Sequence, residues 1–269
     1  MMLRRIWCYM KLWVMCFPVC KKAMRKRNAD QIKGIAVAAM TIDHLAWLLF
    51  PGYRQELLPL VMHIIGRITC PVMCYFVAEG YHHTRNVDRY TQRLFVFALI
   101  SHFAYRFASA DFVGWRSLIP FLDGQILNQT SVMWSLAWGL VMLRVAESPR
   151  IRQEWIKTLL ILLICVVTFP GDWSCVASLW ILAMGTNRGN FRVQMGWMLF
   201  YAALYATVYF FALDRLYGLL QMAVVLSIPV LQSYNGERGK MGKAGKWLFY
   251  YYYPAHLAVI GWLQYLCRQ

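Results

Sequence analysis

The sequence predicts an all-α protein: a polytopic transmembrane helix bundle of about nine to ten membrane helices, preceded by a short amphipathic N-terminal arm. Three observations lead to this prediction: an apolar composition, a succession of apolar segments, and basic residues in alternate loops. Of the 269 residues, 60% are hydrophobic and 15% are charged, whereas a soluble domain has about 45–50% apolar and about 25% charged residues. This composition excludes a disordered chain, a disulfide-rich secreted module and an ordinary soluble enzyme.

Nine apolar segments make up the predicted bundle. A helix needs about 17–25 largely apolar residues to cross the hydrocarbon core of a bilayer. Segments that meet or approach this length lie at residues 34–50, 57–81, 94–110, 131–143, 158–170, 175–185, 196–213, 216–231 and 247–266. The fifth and sixth are short and join through Pro170-Gly171-Asp172, so they can instead form one broken hairpin. The semi-apolar stretch 115–128 predicts a re-entrant or interfacial loop.

The basic residues set the predicted orientation. The chain has 28 Lys and Arg against 12 Asp and Glu, a net charge of +16, which in a soluble protein would suggest nucleic-acid binding. Here most of these residues fall in every second loop, beginning before the first helix. The positive-inside rule then predicts a cytoplasmic N-terminus and an external C-terminus. Because topology accounts for the charge, we expect the lipid bilayer as a partner and no nucleic acid.

Residues 1–32 are predicted to form a separate basic arm, and residues 33–269 the membrane domain. The arm is apolar and aromatic, but Arg4, Arg5 and Lys11 interrupt it and a basic run follows at 21–27. A signal peptide has an uninterrupted apolar core. The arm is therefore interpreted as an amphipathic helix on the cytoplasmic leaflet, where its basic run attracts anionic lipid.

The eight cysteines do not indicate a metal site. No Cys-x2-Cys pair is present, and no Cys/His cluster has zinc spacing. Cys70 and Cys74 lie one helical turn apart within an apolar segment. We interpret them as small buried hydrophobic residues and expect no metal.

Asp43 and His44 form the strongest candidate site. Ionisable side chains inside a bilayer are costly unless they are paired or solvated, so each is a site candidate. Lys33 lies at the edge of the first segment, and His44 lies eleven residues later, roughly 16 Å deeper. Asp43 points about 100° away from His44 and needs its own partner, for which Arg67 is the candidate. His44 is either a general base or a polar helix-packing group.

A basic stripe follows the second segment. Arg85, Arg89 and Arg93 recur every four residues, close to Glu79 and Tyr90. Such a stripe can hold a phosphorylated ligand such as a coenzyme diphosphate. The alternative is that it only supplies positive charge to a cytoplasmic loop.

Three further candidates lie towards the other face or late in the chain. Asn128 and Asp172 lie at outer loop-to-helix junctions, where an acceptor from outside would arrive; Asp172 can instead cap the next helix. His256 lies near mid-membrane, beyond Pro254, and can face His44 or pack against a neighbouring helix. Four tyrosines precede it and ring the helix, so some of them belong to an aromatic belt.

The ordered set of motifs resembles a known family. Lys33-x10-His44 is similar to the Arg/Lys-x10-His signature of integral-membrane acyltransferases that modify polysaccharides. More closely, the set resembles the TraX family, whose founding member acetylates the N-terminus of F-type pilin. The motifs are Ile42-Asp43-His44, Gly66-Arg67-Ile68-x-x-Pro71, Glu79-Gly80-Tyr81-x-x-Thr84-Arg85, Tyr90-x-x-Arg93, Gly171-Asp172 and Tyr253-Pro254-x-His256-Leu257. The resemblance covers roughly residues 33–266; the arm and the loop at 115–128 match nothing in the family pattern.

The resemblance implies a bacterial cytoplasmic-membrane acyltransferase that uses acetyl-CoA as co-substrate. The acceptor would be an amine or hydroxyl of a pilin-like peptide N-terminus or a cell-envelope glycan. Catalytic roles fall to His44, Asp43 and Arg67. Donor binding falls to Lys33, Arg85, Arg93 and Tyr90, and substrate binding to Glu79, Asn128, Asp172 and His256.

The expected chemistry is direct transfer from the thioester to the acceptor. His44 would deprotonate the acceptor, and Arg67 or a helix-end amide would stabilise the oxyanion. Direct transfer is favoured because no Ser or Cys lies in an activated-nucleophile motif, and a covalent acyl-histidine is the alternative. Two other classes compete: a proton-coupled membrane transporter, which usually shows two related halves that are not found here, and a non-enzymatic scaffold.

Overall fold

The computed structural model describes residues 26–109, 112, 114–121, 126 and 128–267. All regular secondary structure in these ranges is helical apart from two isolated bridges. The all-α prediction is therefore confirmed. The predicted arm lies outside the described residues up to residue 25, as do residues 122–125 and 127 of the predicted loop.

The chain forms eleven α-helices in its described part. They are α1 Ala29–Leu49, α2 Leu57–Gly66, α3 Thr69–His83, α4 Val87–Phe107, α5 Val132–Ala146, α6 Glu154–Thr168, α7 Val176–Thr186, α8 Phe191–Ala212, α9 Arg215–Leu220, α10 Ser227–Gln232 and α11 Gly242–Cys267. A 3₁₀ turn, Trp115–Leu118, precedes α5, and a second, Gln221–Leu226, links α9 to α10. Each of the nine predicted segments is helical. The first helix begins at Ala29, so the last residues of the predicted arm belong to α1.

Four helical stretches in the described part are long and apolar enough to cross a membrane. They are Ala29–Leu49, Leu57–His83, Phe191–Ala212 and Arg215–Gln232. Helices α5 and α7 are apolar but shorter. The predicted count of nine to ten membrane helices is therefore only roughly matched, because several passes are short or carry charged residues.

The starts and breaks of the first helices follow from local chemistry. Asn28 and Gln31 form a reciprocal capping box that begins α1. The second pass is broken between α2 and α3, where the Ile68 amide bonds the Ile65 carbonyl in a tighter turn. Pro71, which the sequence places mid-span, lies in the first turn of α3 and cannot donate to the Arg67 carbonyl. The break therefore places Arg67 at a helix end inside the bundle.

Helices α3, α5 and α7 form the centre of the bundle. Helix α1 packs against α2, α3 and α11, and α11 also packs against α4. Trp180, Leu140 and Val72 are among the fully buried core residues of the three central helices. Helix α6 lies on the outside against α5, and its residues Leu159, Leu162 and Leu163 are more than half exposed. An exposed apolar face of this kind suits contact with lipid.

Contacts between loops divide the bundle into two ends. At the first, which we call the basic end, Glu79 contacts Arg188, and residue 27 pairs with residue 234. At the opposite end, Thr130 pairs with Gly171, and the Tyr217 hydroxyl donates to the Arg54 carbonyl. Helix α1 runs from the basic end to the opposite end, so Lys33 and His44 lie at different depths.

Candidate functional site

The first polar group inside the bundle centres on Asp43. Arg67 Nη2 lies 3.2 Å from Asp43 Oδ1 and 3.1 Å from Oδ2, and His63 Nδ1 lies 2.7 Å from Oδ1. The side chains are 13% exposed for Asp43, 11% for Arg67 and 0% for His63. The carboxylate thus accepts from a guanidinium and an imidazole in a largely dry site, where charge-assisted hydrogen bonds are strong.

The guanidinium of Arg67 is held on every side. Its Nη1 donates to Gln221 Oε1 at 3.0 Å, and its Nε donates to the His63 carbonyl at 3.3 Å. The Trp173 ring lies 4.9 Å from its central carbon, in a cation–π arrangement. We call Asp43, His63, Arg67, Trp173 and Gln221 the Asp43 cluster. With so many partners fixed, Arg67 presents a preorganised positive charge rather than a mobile one.

A close helix crossing positions the cluster. A Cβ atom at Gly66 would lie 2.3 Å from Asp43 Cβ, closer than real side chains approach. Glycine at this position therefore lets α2 approach α1 closely enough for His63 and Arg67 to reach the Asp43 carboxylate. The predicted Asp43–Arg67 pairing is present in the structure.

A pair of imidazoles lies beside this cluster. His44 Nδ1 lies 2.6 Å from His256 Nε2, and the two rings are nearly parallel with centroids 4.9 Å apart. His256 Nδ1 lies 2.9 Å from the Tyr252 carbonyl, which can only accept a hydrogen bond. Neutral His256 therefore carries its proton on Nδ1 and accepts from His44 Nδ1. This assignment leaves His44 Nε2 as the unprotonated nitrogen of the pair.

His63 is a residue of this site to which the sequence analysis assigned no role. Its Nδ1 donates to the Asp43 carboxylate, while its Nε2 is buried and has no hydrogen bond in the described part of the chain. Its four-residue spacing from Arg67 on α2 was the available signal, because residues i and i+4 share a helix face. A carboxylate that orients an imidazole in this way also fixes its tautomer.

An aromatic cover closes the Asp43 cluster towards the opposite end. The Trp47 ring lies 4.6 Å and the Tyr217 ring 5.5 Å from the His63 ring, and Tyr53 packs against both aromatic residues. Tyr53 belongs to the loop between α1 and α2, and burial raises its pKa to about 12. The cover separates His63 from the solvent at that end.

A large cavity opens at the basic end. Its volume is about 980 Å³, and all four residues predicted to bind the donor line it: Lys33, Tyr90, Arg93 and Arg85. Its inner wall is apolar, formed by residues such as Met73 and Met133. Ligand pockets in proteins commonly have volumes of about 300–1,000 Å³. We call this space the basic-end cavity.

The charges of the basic-end cavity are unevenly paired. Lys33 Nζ lies 5.0 Å from the Phe76 ring and 5.5 Å from the Phe249 ring, and the Arg93 guanidinium lies 5.7 Å from the Tyr90 ring. Within the described ranges, no carboxylate forms an ion pair with the four basic residues of the wall, which are Lys33, Arg85, Arg93 and Arg238. These four basic residues outnumber the two acidic residues of the wall, Asp30 and Glu79, so the cavity has an excess of positive charge.

Both acidic residues of the cavity wall are already engaged. Glu79 pairs with Arg188 at 3.1 Å and with His83 at 3.3 Å. Asp30 accepts from the Met241 amide at 3.0 Å. Glu79, which the sequence suggested as a substrate ligand, thus lies among the predicted donor-binding residues and forms part of the rim.

The predicted basic stripe is only partly a helical stripe. Arg85 lies in the turn before α4, because that helix begins at Val87 after its Asn86 cap. Arg89 and Arg93 lie on α4, but Arg89 is exposed and does not line the cavity. Arg85 and Arg93 meet at the cavity through the turn and not through a shared helix face.

Asn128 and Asp172 lie on neighbouring segments at the opposite end. The Gln129 amide donates to the Pro170 carbonyl, and the Asp172 amide donates to the Thr130 carbonyl, each at 2.8 Å. Asp172 does not cap α7, because Cys175 occupies the N-cap position without a side-chain hydrogen bond.

The turn after Asp172 reaches the Asp43 cluster. Trp173 and Ser174 are both buried and have positive φ angles of 63° and 49°. Non-glycine residues adopt this region at an energetic cost that clusters at functional sites. Here the unusual backbone places the Trp173 ring against Arg67.

Comparison with known proteins identifies the family of this chain. The sequence model described as TraX protein matches residues 28–264. The chain belongs to the TraX family. This TraX-family chain is 29% identical over 245 residues to a protein named probable fimbrial assembly protein FimC, serogroup H1, of Dichelobacter nodosus, covering 87% of the chain and 94% of that relative. The family and the apolar helices together mark it as a membrane protein.

A second relative is an uncharacterized protein, RP591, of Rickettsia prowazekii (strain Madrid E). It is 34% identical over 104 residues, or 38% of each chain. No solved structure matches the sequence.

Proposed function

We propose that this TraX-family protein is an integral-membrane acyltransferase that transfers an acetyl group from acetyl-CoA to an acceptor amine or hydroxyl. The observation that carries the proposal is the combination of a basic, aromatic-lined cavity at one end with a buried imidazole pair and the Asp43 cluster deeper in the same bundle. Ionisable groups inside a membrane protein are energetically costly, and a purely structural helix bundle does not require them.

The basic-end cavity fits the donor in charge and in shape. Lys33, Arg85, Arg93 and Arg238 offer cationic groups to phosphates, and no described carboxylate pairs with them. The rings of Phe76, Tyr90, Phe249 and Tyr250 offer flat surfaces for an adenine ring. Under the positive-inside rule the basic end faces the cytoplasm, where acetyl-CoA is made available.

His44 is the proposed general base. The hydrogen-bond chain from the Tyr252 carbonyl through His256 leaves His44 Nε2 free to accept a proton. In the transfer, the acceptor nitrogen or oxygen forms a bond to the acyl carbon and gives its proton to His44. The carbon–sulfur bond breaks, and the thiolate regains that proton as the free thiol of the coenzyme.

Arg67 supplies fixed positive charge next to this base. Its position is determined by Asp43, Gln221 and Trp173, so no reorganisation is needed when negative charge develops nearby. Asp43 and His63 act as positioning residues for Arg67 in this proposal.

The proposed acceptor is the N-terminal amine of a pilin-like subunit. The relative from Dichelobacter nodosus carries the name of a fimbrial assembly protein and matches along nearly its whole length, and the family resemblance points the same way. The acceptor would enter from the opposite end, past the 128–131 segment and the Asp172 turn.

The test uses purified protein in lipid nanodiscs and [1-¹⁴C]acetyl-CoA. Two peptides with a pilin-like N-terminal sequence, one with a free and one with a blocked α-amine, and an N-acetylglucosamine disaccharide serve as acceptors. We expect label in the free-amine peptide alone, and a fall of at least about 100-fold in His44→Ala. His82→Gln is the matched histidine control and should retain transfer, because His82 contacts the Gly185 carbonyl and Glu147 and does not line the cavity.

Two results would contradict the proposal. One is full activity in His44→Ala, and the other is no saturable acetyl-CoA binding at millimolar concentration. Label in the disaccharide would support acyltransferase activity but would show that the acceptor is a glycan hydroxyl and not a peptide amine. Proton-dependent solute uptake into vesicles, without acetyl transfer, would favour a transporter instead.

A further inference from the structure

The basic-end cavity extends through most of the depth of the bundle. Its wall includes Met133, the second residue of α5, and Tyr250 on α11. Helix α5 begins at the opposite end, directly after the Thr130–Gly171 pairing. The inner limit of the cavity therefore lies beside the N-terminus of α5.

Two buried hydroxyl groups lie just beyond this limit. Ser131 is 0% exposed and Tyr253 is 7% exposed. Neither Ser131 Oγ nor Tyr253 Oη has a hydrogen-bond partner within the described residues. Buried polar atoms in folded proteins are nearly always paired, so two unpaired hydroxyls in one place require an explanation.

The hydroxyls converge on a helix N-terminus. Ser131 is the N-cap of α5 but does not cap it with its side chain, so the amides of Val132 and Met133 have no side-chain cap, whereas the Trp134 amide donates to the Ser131 carbonyl. The Tyr253 hydroxyl interacts electrostatically with the Val132 amide and the Ser131 hydroxyl, but neither contact has the geometry of a hydrogen bond. Two hydroxyl groups and the first amides of α5 thus lie together, and neither hydroxyl has a well-formed hydrogen bond to any described residue.

This point lies between the cavity and the imidazole pair. Tyr250 lines the cavity, and Tyr253 lies about one turn further along α11. The Tyr253 ring is then 5.5 Å from the ring of His256, which contacts His44. Cavity, hydroxyls and imidazoles therefore follow one another along α11.

We propose that Tyr253, Ser131 and the first amides of α5 form the site that binds the thioester carbonyl of the donor and stabilises its oxyanion. The inference rests on the proposed acyl transfer and adds the residues that polarise the acyl group. As the acceptor nitrogen or oxygen bonds to the carbonyl carbon, the carbon–oxygen π electrons move to the oxygen, where these donors face the negative charge. When the carbon–sulfur bond breaks, the carbonyl reforms.

The sharpest test measures the carbonyl itself and needs no acceptor. Infrared difference spectra of [1-¹³C]acetyl-CoA bound to the wild-type protein should show the thioester carbonyl stretch below its frequency in solution. Tyr253→Phe and Ser131→Ala should move the band back towards the solution value while donor affinity changes less than twofold. Tyr251→Phe is the matched control, because Tyr251 lies two residues before Tyr253 on the same helix and is 59% exposed.

The rate of transfer gives the second readout. We expect Tyr253→Phe to lower kcat about 100-fold with little change in the KM for acetyl-CoA, as removal of one oxyanion donor does in other enzymes. If Tyr253→Phe changed neither the carbonyl band nor kcat, the inference would be overturned, while the proposed acyltransferase activity would be unaffected. Absence of donor binding by the wild-type protein would overturn both.

Discussion

The Asp43 cluster and the basic-end cavity are two polar regions of one apolar bundle, and their charges are satisfied in opposite ways. In the cluster, Asp43 and Arg67 bond each other, and Arg67 has two further neighbours in Gln221 and Trp173. In the cavity, the acids are paired with rim groups while the four basic residues have no ion pair to a described carboxylate. Charged groups that are paired with one another inside the protein are typical of a preorganised catalytic site. Charged groups that have no ion pair in the protein are typical of a site that binds a ligand of opposite charge.

The largest expected effect is the loss of the Asp43 carboxylate. Asp43→Ala leaves the Arg67 guanidinium buried without its counter-ion, so we expect a loss of about 3–5 kcal/mol in the free energy of unfolding. Thermal unfolding in detergent, followed by tryptophan fluorescence, measures it. Asp88→Ala is the matched control: Asp88 pairs with Arg144 at 2.7 Å but is 70% exposed, so its loss should cost about 0–1 kcal/mol. Equal losses of unfolding free energy in Asp43→Ala and Asp88→Ala would show that the Asp43–Arg67 pair stabilises the protein no more than an exposed ion pair does.

Gly66→Ala tests the close helix crossing that builds the cluster. The added methyl group would overlap Asp43, so we expect a loss of about 1–3 kcal/mol. Gly34→Ala is the control on α1, since a Cβ there meets nothing within 4 Å, and it should be neutral or stabilise by up to about 1 kcal/mol. Equal stability of Gly66→Ala and Gly34→Ala would show that α2 does not need this approach.

Lys33→Ala tests the cavity. Removing the cation that lies between Phe76 and Phe249 should weaken acetyl-CoA binding about tenfold, or about 1.4 kcal/mol, with little change in unfolding. Calorimetric titration at two salt concentrations measures it. Arg89→Ala, an exposed residue one turn before Arg93 on α4, should bind like the wild type. If both variants lost affinity equally, the effect would be one of overall charge.

The smallest effect is expected from Cys70→Ala. Cys70 is buried with its sulfur 3.9 Å from that of Cys74, and we expect a loss of about 1 kcal/mol in stability and unchanged transfer. Loss of transfer in Cys70→Ala, together with a labelled cysteine in mass spectra after incubation with the donor, would favour an acyl-cysteine intermediate over direct transfer.

The sequence predicted the parts of this fold that depend on composition and local spacing. Apolar length located all nine helical segments, and the need of a buried carboxylate for a cation predicted the Asp43–Arg67 pair. Lys33, Tyr90, Arg85 and Arg93 were assigned together and do line one cavity. The predicted stripe through Arg89 was wrong as a helix face, because the Asn86 cap begins α4 only after Arg85.

What the sequence could not predict depends on long-range packing. Arg238 reaches the basic-end cavity only because the segment before α11 pairs with the start of α1, roughly 200 residues earlier. Tyr253 belongs to one of the family motifs, but the sequence does not indicate that its hydroxyl and that of Ser131 are buried without hydrogen-bond partners among the described residues. His63 reaches Asp43 because α2 crosses α1 closely at Gly66, and residue spacing alone does not predict that crossing.

The pairing of residue 27 with residue 234 has a consequence for communication across the bundle. Through the Arg27–Ser233 and Ala29–Glu237 backbone bonds and the Asp30 contact to Met241, it joins the starts of α1 and α11 at the cavity mouth. The same two helices carry His44 and His256 about 21–23 Å further along. A ligand that altered the spacing of the two helices at the mouth would alter the imidazole separation and with it the proton affinity of the imidazoles. Thermodynamic reciprocity then requires that protonation of the imidazoles change the affinity for the ligand by the same factor as the ligand changes their proton affinity.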